Sequence, residues 1–396
     1  MRKVTREQSK EHNNHLILKV IYDSDQISRA DVARVTKLTR TTVSSAVDEL
    51  AAQGILVEVG RGQSLGGKPP TLMRVNKDSR HVIGLDLGNE EMRGSIVNLR
   101  GEIIQSEILP AEGVQGKEYV QLVFTLINRL ITKVKQPLLG IGIGTPGLVE
   151  SKGGLIRRAV NRNWTDLPLR QLVEDRFQMP VLVANDCHAA ALAQFTFGSI
   201  KKVPSLVVLK IGEGIGAGLI LDNKLFFGDN SAAGEIGHLV VVDKGDLCSC
   251  GHFGCLETVA SSRAIINEGR KLFYSSSPEN KLKNLVDNPE KINLETLEKA
   301  IQAGDAGVRS LIQSVGYYLG IAAASIVSLI NVNQVVIAGE VACFGPVLTE
   351  VIQKTMEERS VDVISHVSNV SFSNLGENIV TLGAATLLIR NKLEIV

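Results

Sequence analysis

The strand-rich segment that opens at residue 81 is written twice. VIGLDLG, MRGSIVNL and GEIIQSEIL read as three successive strands joined by short turns, followed by a helix near 118–134 and the apolar strand LLGIGIG. VLVAND at 181–186 is a further buried strand, with CHAAALAQF behind it as a helix. The order begins again at SLVVLKIGEGIGAGLILDN, residues 205–223, and runs to the strand QVVIAGE and late helices. A meander followed by α/β units, stated twice, implies two similar α/β lobes. The apolar stretch VRSLIQSVGYYLGIAAASIVSLI at 308–330 is interrupted by Gly316, Gly320 and polar residues, so it reads as a buried helix between the lobes and not as a membrane span.

The first 80 residues have a different character. NHLILKVIY at 14–22 carries apolar side chains at helical spacing, and Ser28 is placed to cap a second helix with Asp31 as its capping-box partner. Thr39 can cap a third, RTTVSSAVDELAAQG, closed by Gly54. Two helices joined by the tight turn Thr36–Leu38 have the layout of a helix-turn-helix, whose last helix would present Arg40, Thr41, Thr42, Ser44 and Ser45 to a DNA groove. ILVEV at 55–59 and TLMRV at 71–75 flank GRGQSLGGKPP, a hairpin with a basic, glycine-rich tip that reads as a wing carrying Arg61 and Lys68 to phosphates or a minor groove. Charge agrees: residues 1–80 hold a net of +5, the remainder −4. The competing reading of this head is a small helical protein-interaction module.

MRKVTREQSKEHNNH lacks the apolar core of a signal sequence, and no uninterrupted apolar run is long enough to cross a bilayer, so a soluble cytoplasmic protein without membrane partners is expected. In a reducing compartment, five cysteines do not suggest a disulfide framework. Three of them fall in HLVVVDKGDLCSCGHFGCLE, where His238, Cys248, Cys250 and Cys255 stand at H-x9-C-x-C-x4-C with Gly251 and Gly254 allowing a tight fold. Four soft donors fit tetrahedral Zn2+, structural because no position is left for water; redox-active or merely buried thiols are the alternative. Glu235 and Glu257 bracket the loop, and two carboxylates can take several hydroxyls from a polyol. Asn185 and Asp186, at the carboxyl end of a strand, add to a polar site in the usual ligand crevice of such sheets. Asp186 suits a general base, or equally an N-cap for the helix that follows. The glycine runs GIGIGTPG and GEGIGAG serve phosphate approach or close packing alike.

Taken together, GIGTPG, NDCHAAALAQ, GEGIGAG, AAGEIGH and CSCGHFGCLETVAS resemble the ROK family of sugar kinases and sugar-responsive repressors across essentially the whole chain. The head, with ISRADVARVTKLTRTTVSSAVDEL and GQSLGGKPP, looks like that of the regulator branch, of the xylose-repressor type. The resemblance implies an α/β fold: a winged helix-turn-helix over 1–80 and a two-lobed actin-like ATPase (RNase H-like) body. Its first lobe would span 81–198 with a C-terminal helix at about 382–396, and its second, 199–381, would carry the zinc loop and a dimerisation surface. It also implies His238, Cys248, Cys250 and Cys255 as zinc ligands and Asn161, Asn185, Asp186, Glu235, His238 and Glu257 as sugar contacts, Asp186 at the kinase base position. Asn163 rivals Asn161.

The departures from the kinases bear on activity. Where they have Asp-x-Gly-Gly-Thr, this chain reads Asp86-Leu87-Gly88-Asn89-Glu90-Glu91; Glu213 enters the second glycine loop, and Glu340 replaces a second glycine in IAGE. Acids near the phosphates would repel nucleotide, so no catalytic residue is expected to act. The expectation is a repressor of operator DNA, a homodimer or higher homo-oligomer, that responds to a monosaccharide such as xylose or glucose. An active sugar kinase with a DNA-binding head is the rival, and a zinc-stabilised protein-interaction module a third reading.

Overall fold

The computed structural model describes residues 5–63, 69–200, 203–274 and 280–393. Its head is built by capping. Helices span Arg6–Asp23, Arg29–Thr36 and Arg40–Ala52, and the side chains of Thr5, Ser28 and Thr39 each accept a hydrogen bond from a first-turn backbone N–H. Lys37, at φ +59°, makes the left-handed turn between the last two. The capping box expected at Ser28 takes another form: its hydroxyl donates to Asp31 Oδ2 at 2.6 Å, a shorter reach for Asp than the return to the backbone that Glu makes. Leu56–Arg61 and Thr71–Val75 pair antiparallel as the wing, and Ile27–Ser28 adds a short third strand.

The two lobes share one topology. In the first, the central strand His81–Leu87 has the antiparallel meander Glu91–Asn98 and Ile103–Pro110 on one side, and the parallel strands Leu138–Thr145 and Val181–Asn185 on the other. The second repeats this around Leu206–Ile211, with Ile215–Leu221 and Lys224–Phe226 antiparallel and Gln334–Ala338 and Asn369–Phe372 parallel. The last strand had no counterpart in the sequence reading, being four half-exposed residues without clear alternation. A small antiparallel sheet, Leu148–Glu150, Leu155–Ala159 and Trp164–Leu167, extends the first lobe.

After the second lobe the chain returns to the first as helix Ile379–Leu393, which lies on strands His81–Leu87 and Leu138–Thr145 and against helix Asp186–Phe197. In GIGIG the period of two points Ile141 and Ile143 into the core under helix Gly116–Ile131, while Gly142 meets the returning helix. A Cβ at Gly142 would stand 1.8 Å from the Ala384 carbonyl oxygen. That run is thus a packing surface. The long helix Ala306–Ile330 is apolar and long enough to cross a membrane, yet 56% of its most apolar window is buried. It packs chiefly on helix Pro346–Arg359 within the second lobe, not between the lobes as its sequence suggested: Gly316 and Gly320 let it approach Val351 and Thr355 of that neighbour.

Head and body share one core. Ile17, Ile21, Val43, Leu50 and Met73 of the head are continuous with Val82, Leu99, Leu388, Ile389 and Leu393 of the first lobe and returning helix. At the junction the Tyr22 hydroxyl donates to the Leu99 carbonyl at 2.7 Å. Arg100 lies 4.4 Å over the Tyr22 ring and donates to the Tyr22 carbonyl at 2.6 Å. Gly142→Ala should displace the returning helix and cost about 3 kcal/mol or more, read as a large fall in the unfolding midpoint; an unchanged midpoint would show that the helix shifts freely.

Candidate functional site

The cysteine loop closes on itself through its backbone. Val240 bridges Cys255, Leu247 bridges Phe253, and the Cys248 N–H donates to the His252 carbonyl at 2.8 Å. Gly254 is required here: at φ +74°, any Cβ would meet the Val242 carbonyl at 1.8 Å. These turns gather one donor atom each from His238, Cys248, Cys250 and Cys255 within 4.8 Å of one another. A tetrahedral ion with metal–sulfur bonds of about 2.3 Å needs sulfurs about 3.8 Å apart. Cys250 and Cys255 Sγ stand 3.7 Å apart, and Cys248 Sγ is 3.6 Å from His238 Nδ1. The cluster can bind a metal ion. Cys187 is buried and lies apart from it, and Cys343 is exposed on a short 3-10 turn after Gly339.

Carboxylates flank the loop where the two lobes meet. Glu257 opens a short helix directly after the last cysteines; its Oε2 accepts from the Ile215 N–H at 3.2 Å, tying the loop to the hairpin of the second lobe. Glu235 Oε2 is 3.9 Å from His238 Nε2. Burial raises the Glu235 carboxyl, His238 offsets this, and Asp186 and Glu257 raise it further, which places these three acids in one field. Asp186 itself is buried at the first turn of helix Asp186–Phe197. The N-cap is its neighbour: Asn185 Oδ1 accepts from the Cys187 and His188 N–H groups, and its amide donates to the Gly147 carbonyl at 3.1 Å. Asp186 is thereby released from capping. Burial pushes its carboxyl up, but Lys210 Nζ at 2.9 Å and the Cys187 N–H hold it below the ordinary range.

Asn161 stands exposed on a 3-10 turn, Val160–Arg162, and among the described residues no hydrogen bond joins it to that group. Asn163, its rival, is exposed in the left-handed conformation. The residue between them went unnoticed in the sequence. Arg162 is buried, lies 3.9 Å over the Tyr119 ring, and donates to the Gly88 and Val114 carbonyls. Lys210 was missed as well, although a lysine inside the apolar run LVVLKI was the available signal.

The acids that distinguish this chain converge. Asn89 donates to Glu213, Glu340 lies 3.4 Å from where a Gly212 Cβ would stand, and the Glu90 carboxyl is raised by burial and then by Glu213 and Glu340. Glu91 turns aside to Arg93, at 2.6 Å, which also pairs with Glu377.

On the head, Arg40, Thr41 and Ser45 are exposed along the third helix, with Thr42 and Ser44 half-buried. The Thr39 hydroxyl lies 2.8 Å from those of both Thr41 and Thr42. Arg61 is exposed at the wing, and Lys68 lies outside the described residues.

The comparisons with known proteins follow the same division. The family model described as MarR family matches residues 11–62, and that described as ROK family matches residues 82–391. The chain is 35% identical over 389 residues to a xylose repressor of Caldicellulosiruptor bescii, covering 97% of each. It is 30% identical to a glucokinase of Halalkalibacterium halodurans over 78% of this chain and 95% of that one. The crystal structure of a ROK family transcriptional regulator, a homolog of the E. coli MLC protein, superposes with a TM-score of 0.85 at 26% identity, over 97% of this chain and 96% of that one. With its winged helix-turn-helix ahead of two lobes of repeated topology, and a family match running from the first strand of the body to its returning helix, the chain belongs to the ROK family.

Proposed function

We propose that the chain is a cytoplasmic, sugar-responsive transcriptional repressor acting as a homodimer. Residues 1–80 hold operator DNA, with Arg40, Thr41, Thr42, Ser44 and Ser45 in the major groove and Arg61 and Lys68 at the wing. Residues 81–198 with the returning helix, and 199–381, form the lobes that take up xylose or glucose. Zn2+ at His238, Cys248, Cys250 and Cys255 is structural, its four protein ligands leaving no place for water. The metal fixes the loop's shape, and the loop's own residues do the recognition: Glu235 and Glu257 accept sugar hydroxyls alongside Asp186, His238 borders them, Asn185 orients the helix start and Asn161 stands at the rim.

The observation that carries this reading is the gathering of acids on the second glycine loop, where Glu340 stands 3.4 Å from a Cβ at Gly212, Glu257 3.1 Å from one at Gly214, and Glu213 between them accepts from Asn89. Phosphoryl transfer rests on stabilising charge at the phosphates, and three carboxylates in their place oppose it. The retained Asp186 and the similarity to a glucokinase support a second reading, an ATP-dependent sugar kinase bearing a DNA-binding head.

Thermal unfolding of the metal-loaded protein with xylose, glucose and other monosaccharides, each with and without Mg-ATP, separates the two, since a ligand of the native state raises the midpoint. We expect a shift with one sugar that Mg-ATP leaves unchanged. ADP formation with that sugar would establish the kinase. Cys250→Ser should release the metal, lower the midpoint by about 5–10 °C and abolish the sugar shift; full sugar response in metal-free protein would remove the organising role of zinc. Arg40→Ala should weaken operator binding about ten- to a hundredfold in a gel-shift titration while the sugar shift persists, and loss of both would contradict separate DNA and sugar sites.

A further inference from the structure

Lys210 has no place in the scheme above. It stands on the central strand of the second lobe, where Leu206, Val207, Val208, Leu209 and Ile211 are buried and apolar, and it reaches the first helix turn beyond the other lobe's sheet, Nζ lying 2.9 Å from Asp186 Oδ2. Side-chain exposures of 23% for Lys210 and 10% for Asp186 put the pair largely out of water. An ammonium is retained in such a setting only against fixed negative charge, because its desolvation costs several kcal/mol.

The groups around it come from every neighbouring element. Strand His81–Leu87 contributes Asp86, whose carboxyl burial raises to about 7 although Lys210 offsets it. The next strand contributes Glu91 and Arg93, already paired with each other. Helix Asp186–Phe197 contributes Asp186 and Cys187, and Glu235, ahead of the metal loop, acts on those two groups. Burial works against the charge on Lys210, yet Asp186 and Asp86 outweigh it and hold the ammonium protonated.

We infer that Lys210 is the internal counter-cation of the cleft, a positioning residue that keeps Asp186 ionised as a permanent acceptor for a ligand hydroxyl and unfits it to take up that hydroxyl's proton. A general base works best when its proton affinity matches the working pH. Protonating Asp186 would instead dissolve the ion pair and leave a buried ammonium uncompensated. Asp186 Oδ1 accepts from both the N–H and the thiol of Cys187, whereas Oδ2 accepts only from Lys210 among the described residues and keeps a lone pair for a ligand. The consequence for binding rests on the reading of the cleft as a sugar site; the charge role does not.

The test uses the full-length, metal-loaded protein with Lys210→Met and Lys210→Arg, following the unfolding midpoint with and without xylose or glucose from about pH 5.5 to about pH 8. Without the ammonium, Asp86 and Asp186 are two buried carboxylates with raised proton affinity. A raised acid favours the folded state at low pH, and that contribution is lost as pH rises through the raised value. The deficit of Lys210→Met against the natural chain should therefore grow from the acid to the neutral end. Its sugar affinity should fall about tenfold toward the acid end, where Asp186 gains a proton, while the natural chain varies less than about twofold. Lys210→Arg should restore both profiles.

A deficit independent of pH overturns the inference and makes Lys210 a packing residue. Should Lys210→Met fail to fold, Asp86→Asn combined with Lys210→Met removes the like-charge repulsion; a sugar affinity in that variant that does not weaken toward acid also overturns it. A pH-dependent deficit with no sugar response even in the natural chain keeps the counter-cation and removes the sugar reading.

Discussion

The seat of the returning helix on the first lobe's sheet is the constraint from which the rest follows. Ile379–Leu393 comes back from the second lobe and lies at backbone contact on Leu138–Thr145, an approach only a side chain of hydrogen permits at Gly142. The same helix packs on Asp186–Phe197, whose first turn carries Asp186, and ends among head residues at Leu393. Site, sheet and head are therefore referred to one element. A contact this close cannot slide by fractions of an ångström without a clash, so the helix transmits displacement as a unit.

Much of this was legible in the sequence where the signal was local. Caps at Ser28 and Thr39, the wing strands, the duplicated meander and the His-Cys spacing each lie within a short window, and each is found where the pattern put it. What escaped depended on distant partners. Asn185 and Asp186 were read as a polar pair in which Asp186 might equally cap the helix, and only the helix boundary shows that Asn185 does so. Lys210 draws its meaning from Asp186 and Asp86, one of them 24 residues away in sequence. Arg162, between two asparagines, carried no periodic signal, and its partners Tyr119 and Gly88 lie in other segments. GIGIG was equally consistent with phosphate binding or packing until the helix that covers it was placed.

The electrostatics of the cleft divide along the line between its halves. On the metal-loop side, Glu235, Glu257 and Asp186 offer acceptors with a lysine to balance them. On the glycine-loop side, Glu90, Glu213 and Glu340 accumulate charge, with buried Arg162 in electrostatic reach of Glu213. On the proposed reading, a neutral polyhydroxyl ligand would gain hydrogen bonds on the first side and meet no charge penalty on the second, whereas a polyphosphate would meet repulsion.

The shared core of head and first lobe limits how such a ligand can act on DNA. Tyr22, Leu99 and Arg100 lock the first helix to the turn of the body's meander, and Ile17 and Leu393 lie in one apolar cluster. Rotating the head against the first lobe would expose that cluster to water, at roughly 25 cal/mol for each Å² uncovered. The same cluster runs on through Ala189, Ala190, Ala191 and Ala193 of helix Asp186–Phe197 into Val208, Ile220, Val336 and Ala338 of the second lobe, and the Lys210–Asp186 pair ties the two lobes at 2.9 Å, so separating the lobes carries the same kind of cost.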